Sequence, residues 1–134
     1  KEHLSKEVPV VVDPTLLVDR EVFDRIAIQP KEDRYVLLFT LEASSEALTF
    51  AKRIAKEKNC EVVRLSAIRN IGGNKEIKEV YAKNPGEFCG YFKYATFIVT
   101  ISFHGTAFSV LLNNLILINC DSNFVNLVST VKFL

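Results

Sequence analysis

The chain has no methionine, two histidines and three cysteines among its 134 residues. Each shortage removes a class of chemistry. Cys60, Cys89 and Cys120 stand far apart and form no C-x-x-C pair, so they read as buried thiols of a reduced, cytoplasmic protein and not as a disulfide framework. Two distant histidines and scattered cysteines lack metal-ligand spacing, and neither a metal nor any other cofactor is expected. No G-x-S-x-G elbow is present, and Gly72-Gly73 is only a pair, without the strand, third glycine and helix of a dinucleotide fingerprint. Charge of one sign is lacking too. Lys plus Arg is 17 and Asp plus Glu is 16, a net +1 with both histidines neutral. Without a basic patch interleaved with aromatics, that balance argues against nucleic acid or a membrane surface as partner. No apolar run is long enough for a membrane span, and no signal-peptide pattern opens the chain. The missing methionine, at position 1 as elsewhere, leads us to expect an excised segment, with Lys1 to Lys6 resembling the tail of a helix.

What is present alternates. Val8 to Val12 is a short β-rich run ended by Asp13-Pro14, and Asp19 can cap a helix over Arg20 to Ala27. Tyr35 to Leu41 is continuous and apolar, as a parallel strand covered on both faces is. Ser44 or Ser45 opens a helix to about Lys58, with Ala47, Leu48, Ala51, Ile54 and Ala55 at helical spacing. Glu61 to Leu65 reads as a strand, Ser66 to Asn74 as a loop, and Ile77 to Tyr81 as a short strand. Asn84-Pro85-Gly86-Glu87 has the chemistry of a helix start: a capping Asn, Pro at the first position, Glu at the third. After that helix come a strand ending at Thr100, a short apolar helix, a strand over Leu115 to Ile118, and a final amphipathic helix over Asn123 to Leu134. Strands alternating with helices predict an α/β fold: a three-layer, Rossmann-like parallel sheet forming one domain over residues 1–134.

The run from Ile101 to Ser109 carries the chemistry. It turns from strand to helix through Ser102, His104, Gly105 and Thr106. The crevice outside the carboxyl ends of parallel strands is where such sheets bind ligands, and a helix N-terminus there offers free N–H groups to an anion. His104 is the one candidate for proton transfer, since His3 lies at the chain end; the alternative is a ring that merely caps or packs the turn. Gly105 and Thr106 can bring amides near an anion or simply make a tight turn. Ser102, Thr106 and Ser109 can donate to phosphate or carboxylate oxygens, or cap the helix. Asp13 either faces the cleft or terminates a strand. Arg64 and Arg69 are either anion partners or solvated loop charges.

Tyr94 to Ser109, followed by Leu111 to Ile118, resembles the segment of the polysaccharide pyruvyl transferase family that reads approximately A-x-x-V-x-T-D-S-F-H-G-T-A-F-S and continues into a second strand. Asp13-Pro14-Thr15-Leu16-Leu17 resembles the family's D-P-T-L-L, and Pro85-Gly86-Glu87-Phe88 its P-E-E-F, in the same order and at similar spacing. The resemblance implies one half of a fold like that of B-type glycosyltransferases. Residues 1–12 then end the connection to a missing N-terminal domain, without which the isolated segment is expected to be inactive. It implies transfer of pyruvyl from phosphoenolpyruvate to hydroxyls of a sugar or oligosaccharide acceptor, as a ketal, in surface polysaccharide biosynthesis. His104 takes the acid/base part, and Ser102, Gly105, Thr106 and Asp13 bind substrate. The sequence departs from the family in Ile101, where Asp is usual, in Ser102, where many members have Arg, in Asn114-Leu115 for Lys-Pro, and in Asn123 near an expected Arg. Two other readings stand beside this one: half of a B-type glycosyltransferase holding a nucleotide sugar, and a non-catalytic α/β binding module, which Ile101 favours.

Overall fold

Five successive apolar side chains, Tyr35–Phe39, form strand β1, and all five are buried. A strand buried on both faces must lie inside a sheet covered by helices on each side. The computed structural model, which describes residues 9–66, 76–112, 116–118 and 128–129, has that arrangement. Its elements after a 3-10 turn at Pro14–Leu17 are α1 (Arg20–Ile26), β1, α2 (Ser45–Lys58), β2 (Glu61–Ser66), β3 (Lys78–Tyr81), α3 (Pro85–Tyr94), β4 (Phe97–Thr100), α4 (Phe103–Leu111), β5 (Ile116–Ile118) and β6 (Val128–Ser129). The strand order is β3-β2-β1-β4-β5-β6. Pairs β3–β2, β2–β1, β1–β4 and β4–β5 are parallel, and only the short edge strand β6 runs antiparallel, against β5.

The two faces have different packing chemistry. On one, Val36, Leu38, Val62, Phe97 and Val99 meet Ala47, Ala51 and Ala55 of α2, whose small side chains let the helix lie close to the sheet. On the other, Tyr35, Leu37, Phe39, Val63, Leu65 and Ile98 meet an aromatic layer from α1, α3 and α4. Phe39 stands edge-on to Phe88 at 5.6 Å and to Phe92 at 5.3 Å, and Phe108 stands edge-on to Phe88 at 5.1 Å and to Phe23 at 5.5 Å. Each such pair adds about 0.5–1.5 kcal/mol beyond its area. Together they fix α4, and therefore the turn before it, against the end of β1.

The capping chemistry expected at the starts of α2 and α3 is present, whereas Asp19 stands at the cap position of α1 without a side-chain cap hydrogen bond. Ser44 accepts from Ala47 N at 3.1 Å, and Asn84 accepts from Glu87 N at 2.9 Å while Glu87 accepts from Lys83 N at 2.8 Å. Two expectations are corrected. Residues 9–13 form no strand: Val10, Val11 and Val12 are exposed, and among the described residues no strand pairs with them to satisfy their backbone. The expected terminal helix is interrupted by β6, whose Val128 and Ser129 pair with Leu117 and Ile116. Val128 is β-branched and favours extended backbone, and β5 offers residues 128–129 an edge to pair with. The rest of that expected helix, and the expected loop beyond Ser66 as far as Asn74, lie outside the described residues.

Glu32 ties the connector before β1 to the sheet edge. Its carboxylate is buried and lies 2.7 Å from Lys78 Nζ. Burial alone pushes this carboxyl up, but the Lys78 ammonium and further hydrogen bonds outweigh it and hold it below the ordinary glutamate range. A carboxyl depressed in the folded state stabilises above its unfolded value of about 4.3, and that stability is lost as pH falls through the folded value. Glu32→Gln is therefore expected to cost about 1 kcal/mol at neutral pH. Urea midpoints should show the gap between variant and parent shrinking below about pH 4.3 and closing in stronger acid.

Candidate functional site

Strand order reverses between β1 and β4, which makes their carboxyl ends the topological switch point of the sheet. Phe39 pairs with Thr100 in this register, so the turns leaving the two strands begin side by side. The buried Thr100 hydroxyl donates to the Phe39 carbonyl at 2.7 Å and accepts from Ser102 N at 3.1 Å. That side chain fixes both strand ends and the start of the turn with one oxygen.

Helix α4 begins directly outside this point. Ser102 is its cap, with its hydroxyl accepting from Gly105 N at 3.3 Å and its carbonyl accepting from Thr106 N at 2.9 Å and Thr106 Oγ1 at 3.1 Å. Ser109 is buried and donates back to the Gly105 carbonyl at 2.6 Å. Gly105 is needed for close approach. A Cβ there would lie against Thr100 Oγ1 and 2.8 Å from Phe39 Cδ1, so only glycine lets the first turn of α4 sit on the strand ends. Ser102, Gly105 and Thr106 thus build the turn with the groups through which they were expected to bind an anion. The amides of Phe103 and His104, the first two of the helix, have no partner among the described residues. They point the positive end of the α4 dipole outward from the switch point.

His104 follows on the same turn. Its side chain is 65% exposed, with Nε2 3.2 Å from Asp13 Oδ2 and the ring edge-on to Phe103 at 5.8 Å. Asp13 arrives from outside the sheet, on the segment before the 3-10 turn. Its other oxygen accepts from Thr15 N at 2.8 Å and caps that turn. Hydrogen bonding from Thr15, and to a smaller degree the imidazole of His104, holds the Asp13 carboxyl below the ordinary aspartate range. The exposed Phe103 stands beside the ring, and Ile101 and Leu41 are exposed on the turns after β4 and β1.

Other candidates are set apart from this group. Arg64 is buried within β2, opposite Glu79 at 3.5 Å, so it is neither a solvated loop charge nor a group at the rim. Arg69 and Cys120 lie outside the described residues. Burial pushes the thiols of Cys60 and Cys89 up, away from nucleophilic character. Among the described residues no three His, Cys, Asp or Glu side chains group as metal ligands, and no helix is long and apolar enough to cross a membrane.

Sequence reasoning placed His104 at the strand–helix turn. It missed that the amides of Phe103 and His104 have no partner among the described residues, and the pairing of Asp13 with the ring. The first had a signal: the Ser102-to-Gly105 capping spacing leaves the amides of residues 103 and 104 outside the cap. The second had none, because it joins distant parts of the chain.

A family model described as polysaccharide pyruvyl transferase matches residues 1–113. No curated protein matches the chain. Among solved structures, one described as a UDP-N-acetylglucosamine 2-epimerase from Listeria monocytogenes aligns with a TM-score of 0.46 and 13% identity, over 81% of this chain. The chain spans 30% of that structure's length.

Proposed function

This chain belongs to the polysaccharide pyruvyl transferase family, and on that premise we propose that it contributes a Rossmann-like half to an enzyme that moves the enolpyruvyl carbons of phosphoenolpyruvate onto two hydroxyls of a sugar, as a cyclic ketal, during surface polysaccharide assembly. The observation that carries this reading is an open imidazole set beside two amides that have no partner among the described residues, at the switch point of the sheet. The reaction needs both kinds of group. One acceptor proton must reach the enol methylene, which becomes the methyl group. The two acceptor oxygens must bond to the former enol carbon, while the phosphate leaves with the second proton. His104 takes a proton from a hydroxyl and delivers it to carbon or to the leaving phosphate. The amides of Phe103 and His104 hold the anionic donor at the helix N-terminus. Ser102, Gly105 and Thr106 keep those amides in place through the cap and the close approach to Thr100.

Binding tests the reading on the chain itself. Phosphoenolpyruvate is expected to shift the backbone ¹⁵N–¹H resonances of Phe103 and His104, while a uridine diphosphate sugar leaves them in place. Shifts with the nucleotide sugar alone would replace this reading with a glycosyltransferase half. Shifts with neither would leave a binding module without this chemistry.

A further inference from the structure

The turn that carries His104 offers no acid of its own: Ile101, Ser102 and Phe103 precede the ring, and Gly105 and Thr106 follow it. The carboxylate beside it comes from elsewhere. Resting on the pyruvyl-transfer reading above, we infer that Asp13 is the positioning residue for His104, holding the ring over the first turn of α4 and supplying its counter-charge whenever the ring carries a proton.

Three observations support this. The Asp13 side chain is only 8% exposed although its imidazole neighbour is 65% exposed, so an anchored group faces a free one. Its two oxygens have separate tasks: Oδ1 is held by Thr15 N at 2.8 Å, and Oδ2 lies 3.2 Å from His104 Nε2. The Thr15 hydrogen bonds also hold the carboxyl below its ordinary range, so it is a carboxylate at neutral pH. Among the described residues no other charged group pairs with the ring. The 3-10 turn, α3, β4 and β5 pack against α4, and Phe23 of α1 meets its Phe108. Of these, β4, β5 and the 3-10 turn contain no charged residue, and in α1 Arg20 and Asp24 pair with each other. The charged residues of α3 are occupied, Glu87 by Lys83 N and Lys93 by Asp24. Within α4 itself His104 is the only titratable residue. An exposed imidazole without a partner samples several rotamers, and proton transfer demands one.

The capping role and the positioning role separate by substitution. Asn caps as well as Asp does but brings no charge to the ring. In the enzyme that carries both halves of the cleft, Asp13→Asn is therefore expected to keep the parent's melting temperature while kcat for transfer falls about 10–100-fold. The KM for phosphoenolpyruvate should change less than about twofold, because the amides that hold the donor are untouched. Asp13→Glu, which keeps the charge on a longer arm, should recover part of the lost kcat. Adding Asp13→Asn to His104→Ala should cost nothing further, because a positioning residue acts only through the group it positions. An Asp13→Asn enzyme with the parent's kcat, or a full additional loss in the double variant, overturns the inference. If His104→Ala alone retains the parent's rate, the pyruvyl-transfer reading fails first, and that result is distinguishable from the failure of Asp13.

Discussion

Replacing His104 by Ala in the enzyme that carries both halves of the cleft is expected to lower the rate of enolpyruvyl transfer about 10²–10⁴-fold, the range lost when a general acid or base is removed. The fold should hardly register the change. The ring is mostly solvent-facing, and its neighbours are the Phe103 edge and the Asp13 carboxylate, so truncation opens no cavity in the core. Binding of phosphoenolpyruvate should persist too, because the groups proposed to grip it are backbone amides that alanine also supplies. The signature is thus a kcat effect at nearly constant KM and melting temperature. Phosphate release at saturating phosphoenolpyruvate, followed beside circular dichroism melting, measures both. A variant that releases phosphate within about threefold of the parent's rate would remove His104 from the chemistry.

The largest loss of stability is expected at a different helix. Gly86 and Gly90 lie one turn apart on α3 and present a flat face across which the backbone from Ile26 to Ile28 runs. Ile28 N donates to the Gly86 carbonyl at 2.9 Å. A Cβ at Gly90 would fall on the Ile28 carbonyl oxygen and 2.8 Å from its carbon. Backbone cannot step aside as the end of a side chain can. Gly90→Ala would therefore push the connector off α3, and the displacement would reach Phe23 and the aromatic layer beneath α4. Overpacking of this kind costs about 3 kcal/mol or more where the obstacle is main chain. For a domain of this size that lowers the melting temperature by on the order of 10 °C. Helix propensity alone would predict the opposite sign, since Ala is the better helix former by about 1 kcal/mol. A variant as stable as the parent would show that the connector is not seated on α3.

Much of the architecture was legible in local chemistry. Tyr35–Phe39 could only be a strand buried on both faces, because an unbroken β-rich apolar run has nowhere else to go. The Ala47, Ala51 and Ala55 stripe marked the face α2 would bury, and Asn84 with Glu87 marked the start of α3 to the residue. Reading failed where composition was β-rich but pairing decided the outcome. The valines at 10 to 12 have no neighbouring strand and stay exposed, whereas Val128 and Ser129 found the free edge of β5. Val10 to Val12 are at least as β-prone as Val128 and Ser129; what differs is the available partner. Arg64 misled for a related reason. A charge near the end of a strand reads as a rim residue, and only the β2–β3 register reveals Glu79 waiting opposite it inside the sheet.

The candidate site divides along the same line. That His104 stands at a strand–helix junction, with Ser102 as cap and Gly105 as the residue of close approach, follows from a handful of adjacent residues, because capping and close packing act over one turn of chain. That this junction is the switch point between β1 and β4 depends on the order in which strands dock, and the meeting of Asp13 with the imidazole depends on where a distant segment comes to lie. Contacts between distant parts of a chain are selected by the packing of the whole molecule, so only the folded structure could supply them.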